Sequence, residues 1–118
     1  MKKLALILLI LGCTSNEPKL YFPSSEILLG DVKLYEDKSI KFEFTNKGNK
    51  PLIIENVNSS CKCLVSEFPK NGIEKNEKGI IKLLYKSDEL GGHRESIVII
   101  SNDPKKFKII RISTNVIL

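Results

Sequence analysis

The chain has no tryptophan, one methionine, one histidine and three cysteines among 118 residues, and only 7% of it is aromatic. Each scarcity removes a class of function. With a single imidazole, His93, a nucleophile held by an oriented base is hard to assemble, so no enzymatic activity is expected. The longest purely apolar run, Leu4 to Leu11, makes about 12 Å of helix at roughly 1.5 Å per residue, well short of the ~30 Å hydrocarbon core. There is no G-x-S-x-G, no Walker-type glycine loop and no H-E-x-x-H.

What is present begins with an address. Met1-Lys2-Lys3 is a basic start, and the apolar run behind it fits a secretory signal better than a spanning helix. The run ends in Ile10-Leu11-Gly12-Cys13, which resembles the bacterial lipobox, where a small residue precedes a cysteine that is lipidated and becomes the new N-terminus. Leu11 departs from that pattern, which more often has a small residue there. The competing reading is an ordinary signal peptide cut further along, with Cys13 incidental, but no convincing small-x-small site follows. The expected organisation is a lipoprotein signal peptide over residues 1–12, a lipidated tether over 13–19 and one domain over 20–118. The expected place is the bacterial cell envelope, with the chain held to a membrane by lipid on Cys13. Several acyl chains anchor stably where one is marginal.

Export changes the charge balance. The whole chain carries 19 basic and 14 acidic residues, a net +5. Loss of residues 1–12 takes Lys2 and Lys3 with it and leaves 106 residues at +3. The clusters Lys105, Lys106, Lys108 and Lys70, Lys75, Lys78 have acids scattered between the groups and no aromatics interleaved in a stacking pattern. A solvated surface is expected rather than a nucleic-acid site, with weak attraction to anionic lipid head groups.

From Leu20 the chain is a series of short apolar runs broken by turn residues. In Lys38 to Phe44, Ile40, Phe42 and Phe44 alternate with Lys41 and Glu43, the period of a half-buried strand. Asn46-Lys47-Gly48-Asn49-Lys50 is a turn, and Pro51 to Val57 returns as a strand. Further strands are expected at Gly79 to Lys86, Glu95 to Ser101 and Phe107 to Val116, with Asn102-Asp103-Pro104 turning before the last. Ile97 to Ile100 is continuously apolar, as in a strand covered wholly or partly on both faces. Glu26 to Leu29 and Val32 to Tyr35 add two more. About seven short strands without helical periodicity predict an all-β fold, an immunoglobulin-like β-sandwich.

The segment Phe42 to Cys63 reads F-E-F-T-N-K-G-N-K-P-L-I-I-E-N-V-N-S-S-C-K-C. It resembles the bacterial domain of unknown function 1573 family, whose pattern is F-x-F-x-N-x-G-x-x-P-L-x-I-x-x-V-x-x-S-C-x-C. Phe42, Phe44, Asn46, Gly48, Pro51, Leu52, Ile54, Val57, Ser60, Cys61 and Cys63 match it. Pro69, Gly79, Tyr85, Gly91 and the pair Ser101-Asn102 fall where that family has similar residues. The resemblance implies an immunoglobulin-like sandwich related to hydin-type domains, usually exported or anchored, and no established activity. Lys62 stands where the family commonly has Gly, Leu64 where it has Thr, and Asn76-Glu77 where it has a Pro-Gly turn.

If Cys13 carries lipid, two thiols remain. On a strand Cys61 and Cys63 share a face, although Cα atoms about 6.6 Å apart lie near the upper limit for a disulfide. Three readings stay open: a strained disulfide or two packed thiols, a thiol–disulfide redox pair, or a soft site for Cu(I). His93 reads as exposed, in a loop entering a strand, and nothing in the sequence places it near the thiols. Glu36-Asp37 and Asp88-Glu89 read as solvated pairs. The function expected is that of an anchored envelope lipoprotein whose domain binds or supports an envelope protein or polymer, with no cofactor. A redox or Cu(I)-handling protein is the alternative.

Overall fold

The computed structural model describes residues 16–60 and 64–118. Among them are eight strands and no helix. The strands are β1 (Leu20–Tyr21), β2 (Glu26–Lys33), β3 (Lys38–Asn46), β4 (Ile54–Ser59), β5 (Leu64–Glu67), β6 (Lys78–Tyr85), β7 (Gly91–Ser101) and β8 (Phe107–Ile117). They form two four-stranded sheets, in the orders β1-β3-β6-β5 and β2-β8-β7-β4. All pairings are antiparallel except that of β2 with β8.

Alternation builds the core. From β3, Ile40 and Phe44 point inward, and from β6, Ile81, Leu83 and Tyr85. They meet Ile97 and Ile99 of β7 and Ile110, Ile112 and Val116 of β8, all nearly devoid of exposure. Burying a side chain of this size contributes about 1.5–3 kcal/mol, so two such layers account for the sandwich. Within the continuous run Ile97 to Ile100, only Ile97 and Ile99 are fully buried. Val98 and Ile100 face outward and are partly covered.

Three differences from the sequence reading have physical causes. Glu26–Leu29 and Val32–Tyr35 are not two strands: residues 26–33 form one, with a register shift between Leu28 and Gly30. Gly30 takes φ +70, a conformation cheap only for glycine, and the extra residue changes which parity faces inward. A similar shift between Ile54 and Asn56 lets both Ile54 and Val57 reach the core. Pro51 to Ile53 does not join β4. Leu52 bonds instead to Ile73, by N–H to O at 2.9 Å and the reciprocal bond at 2.8 Å. Finally, Gly91, Gly92 and His93 lie inside β7, paired with Val116, Asn115 and Thr114.

Candidate functional site

Cys13, Cys61 and Cys63 lie outside the described residues, so the redox and Cu(I) readings fall there too. The flanks of the thiol pair are described. Ser59 ends β4, an edge strand of one sheet, and Leu64 begins β5, an edge strand of the other. The chain therefore passes from one sheet to the other between Ser59 and Leu64. Ser60 is fixed by three bonds: its N–H donates to Ser96 O at 2.9 Å, its hydroxyl to Glu95 Oε2 at 3.0 Å, and the Ser96 N–H donates to Ser60 Oγ at 3.0 Å.

Across β6, Leu64 pairs with Tyr85, whose side chain is 1% exposed. Burial pushes the Tyr85 phenol above its ordinary value, a hydrogen bond with Ser87 opposes this, and the Glu95 carboxylate adds to the rise. The phenol thus stays protonated at neutral pH and serves as a hydrogen-bonding group, not a base. His93 is half-buried on β7 and its Nε2 donates to the Glu89 carbonyl at 2.9 Å, a local contact. Among the described residues, no group of three or more His, Cys, Asp or Glu side chains is arranged to hold a metal ion. Asp37 meets Lys86 at 4.0 Å with both side chains largely exposed, and Asp88 and Glu89 are exposed.

Two polar hubs were not singled out as sites by sequence reasoning. Asn46 is 0% exposed and uses its whole amide. Oδ1 accepts from Lys19 N at 3.2 Å and Gly48 N at 2.9 Å, while Nδ2 donates to Lys50 O at 2.7 Å and Ile73 O at 2.8 Å. The second hub is the turn between β7 and β8. Asn102 accepts from Ile53 N at 2.8 Å and donates to Pro51 O at 3.1 Å, and Asp103 accepts from Leu20 N and Lys105 N, each at 2.7 Å. The signal for it was a run of short hydrogen-bonding side chains, Ser101-Asn102-Asp103, which reads equally well as a simple turn.

One exposed feature is apolar. On the outer face of β7 and β8, Val98 pairs with Ile109 and Ile100 with Phe107. Phe107 is 62% and Ile109 48% exposed. Asn56 and Asn58, which pair with Ile100 and Val98, together with Arg111 make a polar rim.

A family model described as "Protein of unknown function (DUF1573)" matches residues 20–116. No curated protein matches the chain significantly. Among solved structures, a protein of unknown function from Porphyromonas gingivalis W83 superposes with a TM-score of 0.76 at 17% identity, covering 86% of this chain and 48% of that one. This chain therefore spans about half the length of that neighbour. The ASH/PapD-like domain of human CEP192 gives 0.68 at 10% identity, covering 99% and 96%. The YadV chaperone gives 0.59 at 15% identity, covering 84% and 51%. At these identities the likeness is one of fold.

Proposed function

The chain belongs to the DUF1573 family of immunoglobulin-like domains, and from that premise we propose that it is a membrane-anchored envelope lipoprotein whose domain binds a partner without catalysis. The observation that carries the binding role is the outer face of β7 and β8. Val98, Ile100, Phe107 and Ile109 form a cross-strand apolar patch inside a polar rim, the usual anatomy of a protein-binding surface. By contrast, the buried polar side chains of the described residues are spent on internal hydrogen bonds. The anchoring role rests on Ile10-Leu11-Gly12-Cys13 in the sequence.

Two measurements test the two halves. A photo-crosslinking residue at Val98 in the full chain is expected to capture one discrete envelope protein, and Ile109→Asp is expected to abolish that adduct. Ile109 is half exposed, so the substitution should change stability by no more than about 1 kcal/mol. The same adducts from a probe at Lys41, on the other sheet, would sink the binding face. For the anchor, Cys13→Ala is expected to abolish incorporation of labelled palmitate and release the chain from the membrane fraction. Unchanged labelling would overturn lipidation at Cys13.

A further inference from the structure

Where the chain enters β1, a cleft of about 430 Å³ opens between residues 17–21, Lys47 and the β7–β8 turn. Lys19, Lys47, Lys105 and Lys108 line it, against Glu17 and Asp103. The two carboxylates offset two of these four charges and leave the lining at a net +2, with the Asp103 oxygens held by the backbone N–H groups of Leu20 and Lys105. Among the described residues, the ion pairs join Lys78 to Glu43, Lys86 to Asp37 and Lys106 to Glu55. None uses a lysine of the cleft. Lys47 lies over the Tyr21 ring at 3.6 Å, which holds its ammonium in place without cancelling its charge. Like charges gathered in a concave site focus a positive potential and draw anions to it.

The position of the cleft identifies the anion. Asn16 to Lys19 does not hang free of the domain. Asn49 Nδ2 donates to Asn16 Oδ1 at 2.9 Å, Glu17 N donates to Asn49 Oδ1 at 3.0 Å, Asn49 N to Glu17 O at 3.1 Å, and Lys47 N to Lys19 O at 2.9 Å. Gly48 permits this contact, since a Cβ there would lie 2.0 Å from Glu17 O and 2.6 Å from Lys19 N. Only Thr14 and Ser15 stand between Cys13 and Asn16. Three Cα steps reach at most about 11 Å. A lipid on Cys13 therefore keeps this end of the sandwich close to the bilayer surface, where electrostatic attraction acts within a screening length of about 8 Å.

We propose that the Lys19–Lys47–Lys105–Lys108 cleft docks on anionic phospholipid head groups, so that the domain stands on the membrane by its N-terminal end. This rests on the anchoring reading of Cys13. The test uses the full chain, purified from membranes and reconstituted into liposomes of phosphatidylcholine with or without phosphatidylglycerol. Lysines are labelled with a membrane-impermeant amine reagent and read by mass spectrometry. With phosphatidylglycerol, Lys19, Lys105 and Lys108 should label slower by about fivefold or more, an effect erased by roughly 0.5 M salt, while Lys41 and Lys82 stay unchanged. Equal labelling in both liposomes overturns the proposal, as does equal protection by inorganic phosphate over phosphatidylcholine alone, which would point to a soluble anion. The intact mass of the same sample reports acylation separately. An acylated chain with unprotected cleft lysines keeps the anchor and removes the docking site. If Cys13 is unmodified, the anchoring reading fails; sedimentation of that chain with phosphatidylglycerol vesicles that is lost on Lys105→Gln with Lys108→Gln then supports the cleft, and sedimentation indifferent to those substitutions, or none, overturns it.

Discussion

Asn46→Ala is expected to destabilise the domain by about 3–5 kcal/mol, the largest loss foreseen for removing a side chain's polar group. The substitution orphans two N–H groups, of Lys19 and Gly48, and the Lys50 carbonyl, and takes one of two donors from the Ile73 carbonyl, which keeps Leu52 N–H. Each buried group left unpaired costs roughly 1–3 kcal/mol, and partial entry of water keeps the total below their sum. The Asn46 backbone adds to the same junction, with N–H to Glu77 O at 3.0 Å and O accepting from Asn76 N at 2.8 Å. One residue thus joins the N-terminal entry, the β3–β4 turn and the approach to β6. At about 4–8 °C per kcal/mol, the melting temperature should fall by roughly 12–40 °C. Asn46→Asp should be no milder. Its carboxylate keeps the two acceptor bonds but turns an oxygen onto the carbonyls of Lys50 and Ile73. Thermal unfolding of the purified variants decides the matter, and a fall of less than about 5 °C for Asn46→Ala would remove Asn46 as the junction.

That expectation also reassigns much of the sequence motif. In F-x-F-x-N-x-G-x-x-P-L, spacing alone cannot tell a binding residue from a keystone. The structure gives Phe44 and Leu52 to the core, Asn46 to a closed hydrogen-bond junction, and Gly48 to the close approach of Glu17 and Lys19. The departure at Asn76-Glu77 is accommodated as well: Asn76 sits at φ 65, which asparagine tolerates, and the Glu77 N–H closes the turn on Glu74 O at 2.9 Å.

The sandwich was legible where alternation is strict, as in Ile40 and Phe44 of β3 or Ile81, Leu83 and Tyr85 of β6. It was not legible where pairing overrides local preference. Gly91-Gly92-His93 reads as a loop because glycine has poor strand propensity, yet the eleven residues of β8 supply partners that extend β7 over it. β1 and β5, of two and four residues, are too short to show a period. The shifts at Leu28/Gly30 and Ile54/Asn56 invert the parity of the rest of their strands, and a fixed period cannot register such an inversion. The candidate surfaces were hidden for a different reason. The cleft assembles lysines from positions 19, 47, 105 and 108, and only the fold puts the first two beside the last two.

Gly79→Ala tests that kind of long-range dependence inside the core, where it should be strongest. Gly79 pairs with Phe44 across β3 and β6, and a Cβ at Gly79 would lie 2.3 Å from Cζ of the Phe44 ring and under 3.0 Å from both Cε atoms. The ring therefore lies directly over the β6 backbone. It has little room to retreat, because it is 0% exposed and Phe22 packs on it with centroids 6.0 Å apart. Overpacking of this kind costs typically 1–3 kcal/mol, and a ring held on both sides should place Gly79→Ala near the top of that range, at about 3 kcal/mol. The cause is separable from poor strand propensity, since alanine is the better strand former of the two. Phe44→Leu alone should cost about 1–1.5 kcal/mol, as it keeps most of the buried volume. Combined with Gly79→Ala, it frees the space that the new methyl needs. The double variant should then be more stable than additivity predicts by about 1–2 kcal/mol in denaturant unfolding. Additivity to within roughly 0.5 kcal/mol would show that the ring and the glycine do not share the space assigned to them.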